Sequence, residues 1–307
     1  MPKENNELIG KSKETREDYT GRILCFFCIT LVVILVVSIL YFVTSKGAST
    51  FIENHASLWD FLTNTTWNPG QIDTSGKPQV GAAPMIVTSF SVTLFAALLT
   101  TPFAFTVALF ISEYASKNGK GILQAVLELL VGIPSVVYGF IGLTVVVPAI
   151  RHLYGGTGFG ILAGTFVLFV MILPTVSSLA VESLRAIPSH YKQGSLALGA
   201  TRWQTIFHVT LRAATPGLIT SIIFGMARAF GEALAVQMVI GNAALMPKNL
   251  ISPAATLTSQ LTTQIGNTVM GNVANNALWS LALVLLAMSL FFNLLVRLIA
   301  KRGEIKK

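Results

Sequence analysis

Long apolar segments recur along the chain, and each is long enough to cross a lipid bilayer. An α-helix rises 1.5 Å per residue, so roughly 20 apolar residues cross a hydrocarbon layer of about 30 Å. The segments cover residues 23–43, 84–112, 122–150, 159–184, 214–240 and 277–297. The sequence therefore predicts an all-α, polytopic membrane protein with six transmembrane helices.

The composition supports a membrane environment. Charged residues make up 11% of the chain and hydrophobic residues 53%, whereas a soluble protein carries about 25% charged residues. The net charge of +8 would suit nucleic acid only if the cations clustered on a polar fold. Here they lie between apolar segments, so we expect the lipid bilayer as partner and no nucleic acid.

The distribution of lysine and arginine predicts the orientation. If the N-terminus is cytoplasmic, most cations fall in the N-terminal segment, the loops near residues 117 and 185–213, and the C-terminal tail. The opposite side then holds Lys46, Lys77, Arg151 and Lys248. Because cytoplasmic loops are enriched in lysine and arginine, we expect a multi-pass protein of the inner or plasma membrane with both termini in the cytoplasm.

The apolar segments and the distribution of lysine and arginine together divide the chain into segments. The first apolar segment is too long for the core of a signal peptide, and no clear cleavage site follows it, so it is expected to be a retained helix. We expect a cytoplasmic N-terminal segment at 1–22, the first transmembrane helix at 23–43, an extracytoplasmic loop at 44–83, a core with five transmembrane helices at 84–300, and a cytoplasmic tail at 301–307.

Two outer loops are polar. The loop 44–83 contains Trp67-Asn68-Pro69, which is typical of a turn beside an aromatic residue at the membrane surface. A docking surface for an external partner is an equally good interpretation. The loop 241–276 is rich in Asn, Thr and Gly, and it is expected to form turns.

A charged pair interrupts the fifth apolar segment. Arg228 and Glu232 would lie near mid-membrane on one helix face, about 6 Å apart along the axis. Ionisable residues within a membrane are costly and are by default functional candidates. Guanidinium binds tetrahedral oxyanions bidentately, so we expect an anion pathway here. A self-neutralising structural pair is the alternative.

The loop 185–213 contains two predicted short helices. Pro188 suits the first turn of a helix, Gly199 suits its end, and an apolar stripe follows at helical spacing. A helix lying at the membrane interface would explain this pattern. The stretch Leu198-Gly199-Ala200-Thr201-Arg202-Trp203, however, resembles the cytoplasmic EAA loop of ABC-importer permeases.

That resemblance implies a coupling loop at 185–213 that fits a groove on a cytoplasmic ATPase. Two positions depart from the family pattern: Gln193-Gly194-Ser195 replaces acidic-Ala-Ala, and Arg212 replaces a proline. The residues implied to couple to the ATPase are Gln193, Gly194, Ser195, Gly199, Ala200 and Arg202.

Motifs along nearly the whole chain resemble the PstC-type phosphate permease family. They include the stretch from Arg228 to Asn242, Gly132-Ile133-Pro134-Ser135, Glu182-Ser183-Leu184-Arg185-Ala186-Ile187-Pro188, and Trp67-Asn68-Pro69. The resemblance implies the type I ABC-importer permease fold, a role in ATP-driven phosphate import, and phosphate passage at Arg228 and Glu232. The implied partners are a homologous permease subunit, an ATP-binding cassette ATPase dimer and an extracytoplasmic phosphate-binding protein.

Parts of the sequence are compatible with three other functions. The sister phosphate permease subunit shares the Arg-Ala-x-Gly-Glu core, but the Trp-Asn-Pro loop and the Gly241-Asn242 continuation favour the PstC type. An ion-coupled secondary anion carrier usually shows internal repeats and helices broken at mid-membrane, and the sequence indicates neither. A membrane enzyme is disfavoured because the histidines are scattered, which predicts no metal, no cofactor and no catalytic residue. The sequence has no Walker-type glycine loop, so ATP hydrolysis is expected from a partner.

Overall fold

The computed structural model of the protein describes residues 13–72, 76 and 78–303. Its helices are α1 (Lys13–Ile52), α2 (Leu58–Thr63), α3 (Ala83–Leu109), α4 (Lys117–Gly132), α5 (Ser135–Ile141), α6 (Val147–Tyr154), α7 (Ile161–Arg185), α8 (Ser189–Ala197), α9 (Arg202–Gln204), α10 (Leu211–Phe230), α11 (Leu234–Ile240), α12 (Leu257–Gln264) and α13 (Val273–Gly303). The segments Phe110–Tyr114, Gly142–Val146 and Thr205–Thr210 are π-helical, and Ile265–Asn267 is a 3₁₀ turn.

Six helical segments in the described part of the chain are long and apolar enough to cross a membrane. They run over Asp18–Ile52, Ala83–Tyr114, Ser135–Tyr154, Ile161–Arg185, Arg202–Phe230 and Val273–Ile299. The prediction of an all-α membrane protein with six transmembrane helices is confirmed. The exact division into segments stays a prediction, and residues 1–12 and 304–307 lie outside the described residues.

The chain separates into two compact units, Met1–Lys46 and Gly47–Lys307. Within the first, the described residues form one continuous helix whose apolar side chains, such as Phe26 and Leu35, are exposed. An ion pair between Arg22 and Asp18 (3.1 Å), one helical turn apart, precedes the apolar part. An exposed apolar surface of this length suits contact with lipid.

The third predicted transmembrane segment, 122–150, is wrong as a single helix. Helix α4 ends at Gly132, and the backbone is extended at Ile133 and Pro134 before α5 begins. Proline cannot donate a backbone hydrogen bond and disfavours helical geometry in the residue before it. The Tyr138 hydroxyl donates to the Leu130 carbonyl oxygen at 2.8 Å, which satisfies one of the carbonyl groups that the interruption frees.

The fifth predicted segment, 214–240, also differs from the structure. The helix begins earlier, at Arg202, and continues through the π-helical segment 205–210 into α10. It ends at Phe230, and a short break separates it from α11. The apolar composition of both sides concealed this break.

Helix α7 forms the centre of the second unit, where it packs against α3 and α10. Its inner residues Leu168, Met171 and Ile172 are almost fully buried, together with Ile240 from α11. Close contact between α5 and α11 depends on Gly139, where a Cβ atom would lie 2.8 Å from Met238 Sδ and 2.9 Å from Ala235 Cα. Small residues commonly allow such close helix contact in membranes.

The loop after α1 contains a β-hairpin. Strand β1 (Trp67–Ile72) pairs antiparallel with β2 (Pro78–Val80), and Trp67 lies opposite Val80. The prediction that Trp67-Asn68-Pro69 forms a turn is therefore wrong, because these residues begin β1. A proline is tolerated there because a two-stranded hairpin has an open edge.

Candidate functional site

The break between α10 and α11 positions Glu232 just after the candidate membrane span that ends at Phe230. One Glu232 carboxylate oxygen, Oε1, accepts a hydrogen bond from the Ala235 backbone N–H at 3.1 Å. The Glu232 carbonyl oxygen accepts a hydrogen bond from the Thr258 hydroxyl at 2.8 Å. Backbone groups freed by a break need such partners in a membrane, so these contacts make the interruption a stable feature of the fold.

Arg228 lies in the last turn of α10, where a cation interacts favourably with the helix dipole. Its Nη1 donates to the hydroxyl of Thr175, a buried residue next to Pro174 on α7. Arg228 itself is half-buried. The guanidinium is therefore anchored along one edge by a neutral group.

Arg228 and Glu232 do not share a face of one helix, which corrects the sequence prediction. Arg228 ends α10, whereas Glu232 lies in the break that follows. Among the described residues the ion pairs are Arg22–Asp18 and Lys192–Glu113, so Arg228 and Glu232 are not paired with each other. This finding disfavours the alternative of a self-neutralising structural pair.

Hydroxyl groups surround the break. A small cavity of about 10 Å³ borders Glu232, which is about the space that one water molecule needs. Its polar lining residues are Ser89, Thr93, Thr256 and Thr258, and all four are buried. The region around Glu232 is thus polar but carries no second charge in its lining.

The loop 241–276 supplies part of this lining, which the sequence did not indicate. The Ala254 backbone N–H donates to the Ile240 carbonyl oxygen at 3.0 Å, and the Leu257 N–H donates to Ser89 Oγ at 2.9 Å. Thr256 and Ser259 then form a capping box that starts α12. Thr256-x-x-Ser259 is a weak form of the capping signature, and it was the available signal for this helix.

A larger polar cavity lies beside the β-hairpin. Its volume is about 390 Å³, and its lining includes Trp67, Asn68, Asn242, Gln260 and Gln264. Gln260 and Thr258 both belong to α12, so this helix connects the cavity with the break. The interpretation of the Trp-Asn-Pro loop as a docking surface remains a prediction.

The predicted coupling residues are divided between two environments. Gln193, Gly194 and Gly199 are exposed, and Gly199 has a positive φ of 83°, a conformation that glycine adopts without steric cost. Ala200 is half-buried. The neighbouring Leu198 is 90% exposed, so an apolar side chain is presented next to the bend.

Ser195 and Arg202 contact this chain itself. Ser195 Oγ lies 3.0 Å from the Thr205 hydroxyl. The Arg202 guanidinium donates to the Glu113 carbonyl oxygen and lies 4.9 Å from the centre of the Tyr114 ring. The sequence did not indicate that residues near the end of α3 would receive contacts from this loop.

The chemistry of the described residues offers no metal site. No group of three or more His, Cys, Asp or Glu side chains in the described part of the chain is placed to hold an ion. The two cysteines, Cys25 and Cys28, are free thiols on the exposed surface of α1. Two candidate sites remain in the described part of the chain. One is the break beside Arg228 and Glu232, and the other is the exposed face of α8.

Known membrane transport proteins are similar to this chain in sequence. The profile of the family described as "Binding-protein-dependent transport system inner membrane component" matches residues 101–304. The "Probable ABC transporter permease protein YqgH" of Bacillus subtilis is 46% identical over 303 residues, covering 98% of this chain and 97% of that protein. The "Phosphate transport system permease protein PstC" of Xylella fastidiosa is 29% identical and covers 87% of this chain and 86% of its own length.

Solved structures agree on the fold. A chain of a bacterial alginate ABC transporter, solved with a pentasaccharide-bound periplasmic protein, superimposes with a TM-score of 0.58 at 18% identity, covering 93% of this chain and 98% of its own length. A chain of the inward-facing MetNI methionine ABC transporter gives a TM-score of 0.53 at 20% identity, covering 70% of this chain and 94% of its own length. The chain has the type I ABC-importer permease fold, and it belongs to the family of binding-protein-dependent transport system inner membrane components.

Proposed function

We propose that this chain is the PstC-type permease subunit of an ATP-driven importer of inorganic phosphate. The observation that carries the proposal is Arg228, a cation without a carboxylate partner among the described residues, in the last turn of the candidate span Arg202–Phe230. Relatives named as phosphate permeases support the choice of substrate and favour the PstC type over its sister subunit. With a homologous permease subunit, the chain forms the translocation pathway.

Arg228 is the group that receives the anion. Guanidinium presents several N–H donors in a plane and matches two oxygens of a tetrahedral oxyanion at once. Thr175 occupies Nη1, and the remaining donors of Arg228 have no hydrogen-bond partner among the described residues. A phosphate ion can therefore be bound without first breaking an ion pair.

Glu232 limits how tightly the anion is held. Its Oε1 caps α11 through the Ala235 N–H, so the carboxylate stays close to the break in a fixed position. A negative charge there weakens the binding of any anion, but it accepts a hydrogen bond from a protonated phosphate. Sulfate carries no such proton at neutral pH, so the carboxylate disfavours sulfate and favours phosphate.

The remaining partners follow from the family and from α8. This non-catalytic subunit relies on a pair of cytoplasmic ATPases, which bind the exposed face that includes Gln193, Gly194 and Leu198. An extracytoplasmic phosphate-binding protein delivers the substrate to the opposite end. Both termini then lie in the cytoplasm, as the distribution of lysine and arginine predicts.

Transport proceeds by alternating access. Closure of the ATPases displaces the short, stiff helix α8, and the passage around Arg228 then changes from inward-facing to outward-facing. A charge that is reachable from each side in turn moves its anion without opening a continuous channel. The chain contributes binding and motion, and ATP hydrolysis takes place in its partner.

The test is ATP-dependent uptake of radiolabelled phosphate by vesicles that contain the complete complex. Wild type is expected to take up phosphate and to resist competition by sulfate, while Arg228→Gln takes up almost none and still assembles. Arg151→Gln is the matched control, because among the described residues that arginine donates to one loop carbonyl, that of Thr157. Full uptake by Arg228→Gln, or no phosphate uptake by wild type, would refute the proposal.

A second candidate is favoured by one observation. The sequence indicates no interruption near Arg228, yet a break separates α10 from α11, and broken helices are typical of ion-coupled carriers. The same vesicles distinguish the two mechanisms. Uptake that stops without ATP and continues after a protonophore supports the importer, whereas the reverse result supports the carrier.

A further inference from the structure

Three cationic side chains converge on the π-helical segment Phe110–Tyr114, which continues α3. Lys192 of α8 forms an ion pair with Glu113 at 2.5 Å. Arg202 donates to the Glu113 carbonyl oxygen, and Lys120 of α4 donates to the Ser112 carbonyl oxygen at 2.9 Å. We name these residues, together with Tyr114 under the Arg202 guanidinium, the α3 clasp.

The α3 clasp lies at a helix end and is partly shielded from water. Carbonyl groups at the end of a helix lack partners within that helix and attract cations. The Lys192 and Glu113 side chains are 28% and 11% exposed, compared with 79% and 65% for Arg22 and Asp18. Water screens a partly buried pair far less than a surface pair, so the clasp resists separation.

Helix α8 packs against the segment Thr205–Thr210, and Lys192 links it to Glu113 in the segment Phe110–Tyr114. Lys192 and Ser195, three residues apart on one face, are its half-buried residues, and its other residues are exposed. Ser195 reaches Thr205 through a neutral contact. Lys192 therefore provides the charged connection between α8 and the transmembrane helices.

Helix α3 is connected to the candidate pathway through the helices on which it packs. Helix α3 packs along α7 and also contacts α10. Thr175 on α7 holds Arg228 on α10. A displacement of the α3 end is thus passed to the two helices that position the guanidinium.

We propose that Lys192 and Glu113, supported by Arg202, are positioning residues that transmit the movement of α8 to α3 and so couple ATP hydrolysis to substrate passage. The proposal rests on the proposed function for its transport readout. Without the pair, α8 would move under the ATPases while α3 remained in place. Hydrolysis would then continue while transport failed.

The experiment compares phosphate uptake with ATP hydrolysis in vesicles containing the complete complex and its phosphate-binding protein. Lys192→Met and Glu113→Gln keep the shape of each side chain and remove its charge. Each is expected to lower phosphate uptake per ATP about tenfold, while stimulated ATPase activity stays within about twofold of wild type. The exchanged pair, Lys192→Glu with Glu113→Lys, is expected to recover much of that loss.

Arg212→Gln is the matched control, because it removes an exposed cation from the start of α10. It should leave the ratio of uptake to hydrolysis unchanged. An unchanged ratio in Lys192→Met, or no recovery in the exchanged pair, would overturn the proposal. If wild type itself carries no phosphate, the proposed substrate is wrong, and that failure is visible before any variant is compared.

Discussion

The break between α10 and α11 and the α3 clasp use arginine in opposite ways. Arg228 contacts one neutral hydroxyl, that of Thr175, and has no ion-pair partner among the described residues. Arg202 contacts a carbonyl oxygen and an aromatic ring, next to the Lys192–Glu113 pair. Arg228 has one hydrogen-bond partner among the described residues, which leaves its other N–H donors for a ligand, whereas the two contacts of Arg202 join the start of the α10 segment to the end of the α3 segment.

The two regions also differ in packing. Around the break, α11 is enclosed by α5, α7 and α12, and Ala235, Val239 and Ile240 are fully buried. Around α8, most side chains are exposed. The proposed substrate site is therefore tightly packed, whereas the helix proposed to contact the ATPase is accessible.

The largest effect is expected on the free energy of unfolding, when one methyl group is added in each region. Gly139→Ala places a Cβ atom within 3 Å of α11, and overpacking of this kind costs about 1–3 kcal/mol. Gly194→Ala meets no atom within 4 Å and, inside a helix, should stabilise by up to about 1 kcal/mol. Thermal unfolding of the purified subunit in detergent measures both, and equal shifts would contradict the contrast in packing.

A smaller effect is expected from Thr175→Val, which removes the hydroxyl that holds Arg228 and keeps the shape of the side chain. The guanidinium should then sample more orientations, which raises the KM for phosphate uptake about five- to tenfold. Ser177→Ala is the control, because the Ser177 hydroxyl bonds to the Leu173 carbonyl oxygen of its own helix. A KM equal to that of wild type would show that Thr175 does not orient Arg228.

The smallest effect is expected from Ser195→Ala, which removes the neutral contact between α8 and Thr205. Loss of one such hydrogen bond costs about 0.5–1.5 kcal/mol. Phosphate uptake per ATP should fall by no more than about twofold, well below the loss in Lys192→Met. Ser189→Ala at the exposed start of α8 is the control. A larger loss than in Lys192→Met would place the main connection on α10 instead of α3.

Uninterrupted apolar segments predicted their helices well. The segments 84–112, 159–184 and 277–297 correspond to α3, α7 and α13, whose ends differ by a few residues. In these segments hydrophobicity alone decides the conformation, since a helix satisfies its own backbone in lipid. Proline within α3 and α7, at Pro102 and Pro174, did not end either helix.

The candidate site was only partly predictable. The charges of Arg228 and Glu232 identified the position, because ionisable residues stand out in an apolar segment. The break itself depends on the Thr258 hydroxyl from a distant loop and on the Glu232 side chain bonding back to Ala235. Contacts of this kind join residues far apart in sequence, and no local pattern indicates them.

The π-helical segments give the coupling region a property that a plain α-helix lacks. Phe110–Tyr114 ends the α3 segment and Thr205–Thr210 begins the α10 segment, and both lie where α8 is attached. Each π-helical segment contains one residue more than the same length of α-helix would. Passing that residue along the helix would slide one side past the other by about 1.5 Å and rotate it by about 100°. If α8 receives the movement of an ATPase, as proposed, the two helices beside it can respond by rotating as well as by shifting along their axes.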